Sequence, residues 1–252
     1  MLHDVPARTT ICHYLLFARL PVQGSVKTRL AATLGAEKTL TLYEAMLRDT
    51  VEIAQSRASA TNAEVLIFLT PSDDSARERF RAWLRSSKID YPFIAVLPQE
   101  GATLGERMLN AVRVAESRDA LPALLMGTDS PSIPDNVFTH AENALRYATT
   151  AVLGKTDDGG FYMMGIHKPD ESLFFGADYS NDTVFDRTYQ ALQSLYPYVE
   201  LLPSWYDIDD ATSLERYIAE AKTDDSLRYF HTTRVLASWG LVFDEEGIQQ
   251  SI

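Results

Sequence analysis

The stretch Phe17-Ala18-Arg19-Leu20-Pro21-Val22-Gln23-Gly24-Ser25-Val26-Lys27-Thr28-Arg29-Leu30 follows the apolar run Tyr14–Phe17 and sets Arg19, Lys27 and Arg29 around Gly24 before a long helical pattern begins. Strand, basic glycine loop and helix in this order open a βαβ unit. Basic heads pair with phosphate oxygens, and a glycine lets backbone amides approach an anion that a side chain would obstruct. A P-loop is excluded, because that pattern needs a glycine directly before the lysine, where Val26 stands. Taken alone, the loop also reads as a solvated basic turn capping a helix.

Further along, apolar runs at Val65–Leu69, Phe93–Leu97, Ala123–Met126 and Ala151–Leu153 alternate with helical patterns. In the first helix Leu40, Tyr43, Leu47, Val51 and Ala54 share one face. This alternation predicts an α/β fold with a mostly parallel sheet. Beyond about residue 155 the spacing predicts strands over Phe161–Ile166 and Tyr198–Leu202. It predicts helices over Asp182–Leu195, Ala211–Ala221 and Ser226–Trp239. One domain over 1–252 is expected, with residues 1–12 as a leader and 224–252 as a helical appendage.

The 23 Lys+Arg against 35 Asp+Glu give a net charge of -12. That balance argues against nucleic acid and against an anionic membrane as partners, both of which need a basic face. It would also repel a free nucleotide, so local cations and a bound metal must overcome it. Cys12 is the only cysteine, which rules out an intrachain disulfide framework and points to the cytoplasm as the default compartment. The first residues lack the pattern of a signal peptide, and no apolar run reaches membrane-spanning length. The exposed apolar residues of the last helix leave a homodimer open.

In parallel sheets ligands sit beyond the carboxyl ends of the strands, so the loops there carry the chemistry. Three are expected to face one crevice: the Arg19/Gly24/Lys27/Arg29 loop, Gly127-Thr128-Asp129-Ser130-Pro131, and Gly154-Lys155-Thr156-Asp157-Asp158-Gly159-Gly160. Asp129, at a strand end, suits Mg2+ or Mn2+, which take hard oxygen ligands and share substrate phosphates. A second carboxylate is expected from Trp205-Tyr206-Asp207-Ile208-Asp209-Asp210, where alternation puts Asp207 and Asp209 on one side and Asp210 or Thr212 can cap the helix that follows. Asp158-Gly159-Gly160 reads as a tight turn open to a ligand or as a plain hairpin turn. Gly101-Ala102-Thr103-Leu104-Gly105-Glu106-Arg107-Met108 opens a helix whose glycines admit a base or phosphate, or simply cap it. The five histidines show no metal-ligand spacing, and there is no GxSxG elbow.

In order, FARLPVQGSVKTRL, GATLGERM, GTDSP, GKTDDGGFYMMGI and WYDIDD resemble the bacterial DUF2064 family, regarded as glycosyltransferases of the nucleotide-diphospho-sugar transferase (GT-A) fold. The resemblance spans roughly residues 14 to 217. More distantly the chain is similar to the guanylyltransferase that activates phospholactate in coenzyme F420 synthesis and to the molybdenum-cofactor nucleotidyltransferases. The resemblance implies a Rossmann-like three-layer α/β/α sandwich. It implies a nucleotide with Lys27 and Arg29 on its phosphates and Mg2+ or Mn2+ on Asp129 and Asp209, with Asp207 nearby; from the loop readings above, Arg19, Gly24 and Gly105 are expected to join Lys27, Arg29 and Asp129 in binding the nucleotide. Lys27, Arg29 and Asp158 would be catalytic, and Asp158, Gly159, Gly160 and Ser180 would meet the sugar or a small-molecule acceptor. The family commonly carries Trp-Ser where Tyr179-Ser180 stands, and the usual DxD is absent, since Asp129-Ser130-Pro131 supplies one carboxylate. The implied activity is glycosyl transfer from a nucleotide sugar. The alternatives are nucleotidyl transfer from a nucleoside triphosphate onto a small phosphorylated acceptor, or nucleotide binding without turnover.

Overall fold

A computed structural model of the chain describes residues 12–90, 92–174 and 183–242. The expected leader up to residue 11, the Tyr179-Ser180 pair and the end of the appendage from residue 243 lie outside the described residues. The chain divides into two compact units. One comprises Met1–Leu20, Ala54–Gly127 and Ile133–Tyr206, the other Pro21–Ile53, Thr128–Ser132 and Asp207–Ile252.

The first unit holds a seven-stranded sheet of β1 (His13–Arg19), β2 (Val65–Thr70), β3 (Ile94–Pro98), β4 (Ala123–Gly127), β5 (Thr150–Thr156), β6 (Phe161–Ile166) and β7 (Tyr198–Trp205). Their order is β3-β2-β1-β4-β6-β5-β7. Only β6 runs against its neighbours, pairing antiparallel with β4 and β5, so the sheet is mostly parallel as expected. The central strands are apolar on successive residues because helices cover both faces. Leu15, Leu66, Phe68, Leu125, Leu153 and Met164 point into a core closed by α4 (Leu104–Ser117) and α6 (Val184–Leu195). The alternate residues point to the other face, where α5 (Asp135–Ala144) lies. There a Cβ on Gly165 would come within 2.4 Å of Val152 and 2.7 Å of Leu145 just past α5, so only glycine fits. Helix, sheet and helix make the three layers of this unit. The remaining helix, α3 (Asp74–Ser86), starts at Asp73, whose side chain accepts from the Ala76 amide at 2.9 Å.

A charged cluster fastens α5. The Tyr14 hydroxyl, on a ring 1% exposed, donates to Glu142. Arg57 grips the same carboxylate with Nε at 2.6 Å and Nη2 at 2.9 Å, bonds Thr139 at 2.9 Å and lies 5.3 Å from the Phe138 ring centroid.

In the second unit are α1 (Thr28–Leu34), α7 (Ala211–Ala221), α8 (His231–Ser238) and most of α2 (Ala36–Ser59). The single long helix expected after the basic loop is two, because Gly35 takes φ 78 and its amide closes α1 on the Ala31 carbonyl. The helix expected over Ser226–Trp239 is likewise a single 3-10 turn at Asp225–Leu227 followed by α8. The cause is Asp49, a buried carboxylate on α2. It accepts from the His231 amide at 2.7 Å, the Thr232 amide at 2.8 Å and the Thr232 hydroxyl at 2.6 Å, which fixes where α8 begins. Asp49→Ala strands those donors and is expected to lower stability by about 2–4 kcal/mol, with Asp49→Asn recovering part of the loss. Urea unfolding checks this, and an unchanged midpoint for the alanine variant would refute the capping role.

Candidate functional site

Strand order reverses between β1 and β4, the kind of switch point beside which α/β sheets place ligands. The segments that follow these strands, Pro21–Ile53 and Thr128–Ser132, belong to the second unit, as does Asp207–Ile252 after β7. Within that unit three of the expected residues meet. The Lys27 ammonium lies 2.7 Å from Asp129 Oδ1 and also donates to Asp209 Oδ1. Its side chain is 6% exposed, whereas the two carboxylates are each 43% exposed.

Local backbone produces this convergence. Gly24 turns at φ 79, and Lys27 itself is left-handed at φ 47, ψ 52, where it precedes α1. A non-glycine residue rarely adopts that conformation, and it persists where surrounding contacts over-determine it. Opposite the loop, the Ile208 amide donates to the Asp129 carbonyl at 2.9 Å and the Ser130 hydroxyl donates to Asp207. These two bonds lock 128–132 to 207–209 in one register and bring Asp209 level with Asp129. Behind Asp209 the capping box of α7, in which Asp210 accepts from the Ser213 amide at 2.9 Å, fixes the chain. Burial would depress the Lys27 pKa, but Asp129 and Asp209 outweigh it, so the ammonium is held charged.

Asp207 differs from its neighbours. Burial pushes its carboxyl up to about 7, against the Ser130 hydrogen bond and with help from the Asp129 charge. Between the usual carboxylate range and pH 7 the folded protein therefore keeps a proton that the unfolded chain releases. This group's contribution to stability is full below about pH 4 and is lost as pH rises through 7. Asp207→Asn keeps an acceptor for Ser130 without the ionisation. In chelated buffer it is expected to match wild type near pH 4 and to exceed it by on the order of 2–4 kcal/mol at pH 8. A wild-type-to-variant difference that stays constant from pH 4 to pH 8 would refute the assignment.

Arg29 is exposed on α1. Its charge contributes, after the Ser213 hydrogen bonds, to a lowered Asp210 pKa. Arg19, Gly105, Asp158, Gly159 and Gly160 lie in the first unit. Arg19 ends β1, exposed and in register with Thr70. Gly105 is buried in the first turn of α4, which a capping box closes: Thr103 Oγ1 accepts from the Glu106 amide at 3.2 Å, and Glu106 accepts from the Thr103 amide at 3.2 Å. Asp158 is exposed, and its Oδ1 holds its own turn together by accepting from Thr156 Oγ1 at 2.5 Å and the Gly160 amide at 3.1 Å. Gly159 turns at φ 91, and its carbonyl accepts from the Phe185 amide at 2.9 Å, tying the turn to α6. Ser180 is outside the described residues. Sequence reasoning gave Ser130 no role. Its bond to Asp207 spans 77 positions, a separation over which a single sequence carries no local signal.

Among the described residues no group of three or more His, Cys, Asp or Glu is arranged to hold a metal. The Asp129–Asp209 pair nonetheless fits a hard divalent ion. Two partly exposed carboxylates already focus on one cationic nitrogen, and Mg2+ needs only one or two carboxylates when substrate phosphates and water complete its shell. No helix of the described residues is long and apolar enough to cross a membrane.

Comparison with solved structures gives a likeness at 27% identity and TM-score 0.79 to a protein of Desulfovibrio desulfuricans G20 assigned as a nucleotide-diphospho-sugar transferase. It covers 93% of this chain and 100% of that one. The inositol-1-phosphate CTP transferase of T. maritima shares the fold at 10% identity and TM-score 0.50, over 90% of this chain and 97% of its own. No curated protein matches. The model of DUF2064, described as uncharacterized protein conserved in bacteria, matches residues 53–181, more than half of the chain, and so bears out the family resemblance over the stretch that holds GATLGERM, GTDSP and GKTDDGGFYMMGI. The chain belongs to the DUF2064 family.

Proposed function

We propose that the protein transfers a group from a nucleotide-activated donor, using the Lys27, Asp129 and Asp209 cluster to manage the donor's phosphates. The observation that carries this reading is the convergence of two carboxylates on one cation position directly behind the basic loop. Asp129 and Asp209 would hold Mg2+ or Mn2+, which when bound neutralises charge building on the leaving phosphates. Lys27 supplies a further positive charge to phosphate oxygens, with Arg29 in support. Ser130 and Asp207 position the two ligand-bearing segments. The likeness to the D. desulfuricans protein favours a nucleotide sugar as donor. In that reaction the bond from the anomeric carbon to the diphosphate breaks, the acceptor oxygen bonds that carbon, and a nucleoside diphosphate leaves.

A second reading, nucleotidyl transfer, is favoured by the single carboxylate of Asp129-Ser130-Pro131 in place of DxD. An acceptor phosphate oxygen would attack the α-phosphorus of a nucleoside triphosphate, and pyrophosphate would leave against Lys27 and Arg29.

Thermal unfolding with nucleoside triphosphates and with nucleotide sugars, each with and without Mn2+, separates these readings when the products of every hit are analysed. A ligand at about 100 times its Kd adds about 2.7 kcal/mol, a rise of roughly 5–10 °C for a chain of this size. Release of nucleoside diphosphate from a nucleotide sugar is the expected result. Pyrophosphate release from a triphosphate would move the assignment to nucleotidyl transfer, and the absence of any nucleotide-dependent shift would defeat both.

A further inference from the structure

Resting on the nucleotide-transferase reading, we infer that the position between Asp129 and Asp209 is an exchangeable cation site, held in turn by the Lys27 ammonium and by a divalent ion. Lys27 is thus a competitor for the metal as well as a ligand for phosphate. Both carboxylates turn an oxygen onto Lys27 Nζ, at 2.7 Å for Asp129. A divalent ion on the same oxygens would lie within a few ångströms of that nitrogen, and two cations so close repel strongly where the lysine side chain is this buried. Lys27 is also held inward: its side chain is 6% exposed, and its left-handed backbone at φ 47 aims it at the acids. In this position it cannot serve a phosphate in solvent.

One movement resolves both conflicts. The lysine stem is flexible, with a compact charge at its end. When a metal-nucleotide complex arrives, Asp129 and Asp209 would hold the ion, and the Lys27 ammonium would turn from them to the phosphate oxygens. The positive charge released from the acids is then spent on the donor. Metal alone offers Lys27 no anion to receive it, so metal alone should bind weakly and the complex well. Proteins that bind free metal first and nucleotide second would show the reverse dependence.

The test is Mn2+ binding followed by electron paramagnetic resonance, on wild type and on Lys27→Met, without nucleotide and then with the donor nucleotide. Lys27→Met keeps the stem and removes the competitor. It is expected to bind Mn2+ alone about tenfold or more tightly than wild type and to bind the Mn2+-nucleotide complex more weakly. A folded Lys27→Met with unchanged or weaker Mn2+ binding overturns the exchange. A second measurement needs no substitution: mass-spectrometric labelling of lysine amines in wild type, where Lys27 should be protected in chelator and react faster as Mn2+ saturates. Continued protection at saturation also overturns it. If the exchange fails while wild type still shows Mn2+-dependent stabilisation by a nucleotide, the transferase reading survives. If tighter Mn2+ binding appears in Lys27→Met but no nucleotide binds either protein, the exchange stands and the transferase reading falls.

Discussion

Asp129→Asn is expected to abolish the Mn2+-dependent part of nucleotide stabilisation and to lower turnover by about 10²–10³-fold, the range seen when one preorganised group aimed at developing charge is removed. The variant should still fold. Lys27 keeps Asp209 as a partner, and the Asp129 carbonyl continues to accept from Ile208 because that bond belongs to the backbone. Only the charge changes, at a side chain that is 43% exposed. A melting temperature within about 2–3 °C of wild type, set beside lost metal dependence, is the expected pattern for an exposed substitution. Thermal unfolding with and without Mn2+ and nucleotide reads both quantities in one experiment. Full metal dependence in Asp129→Asn would place the ion elsewhere and leave this cluster a structural ion pair.

Glu142→Ala has the larger effect on the fold. The alanine leaves the hydroxyl of the buried Tyr14 ring and an Arg57 side chain only 14% exposed without their shared acceptor. Breaking a buried pair by removing one partner typically costs about 3–5 kcal/mol, which lowers the melting temperature by roughly 6–20 °C in a chain of this size. Arg57 also loses the two bonds that hold it over Phe138, so packing suffers together with charge. Glu142→Gln retains an acceptor and should fall between the two. An alanine variant melting within a degree of wild type would show that Thr139 and Asp135, which accepts from Arg57 Nη1, alone can satisfy the arginine.

Most of the first unit is legible in the sequence because a strand covered on both faces must be apolar at every position. The runs at Tyr14–Phe17, Val65–Leu69 and Ala123–Met126 announce themselves, and the structure extends each by a residue or more. The breaks within helices are less visible. Gly35 sits inside an otherwise helical pattern, where one glycine is tolerated as often as it terminates. The start of α8 is set by Asp49, a residue on α2 that no local window around His231 contains. For the candidate site, the loops carrying Lys27, Asp129 and Asp209 could each be read from their own chemistry. The inward turn of Lys27 could not, since it depends on a left-handed residue that is neither glycine nor asparagine.

The place of β1 in the strand order bears on how the chain is made. Of the seven strands in this sheet it emerges first, pairs early with β2, and then waits for β4, whose first residue is Ala123. At about 5–20 residues per second, the ribosome needs roughly 3–11 s after the end of β2 at Thr70 to deliver that partner. Throughout that interval a strand carrying Leu15 and Leu16 has one unpaired edge. Nascent chains arrested before residue 123 should therefore attract chaperones or one another, and arrest just beyond the point where β4 clears the exit tunnel should relieve both.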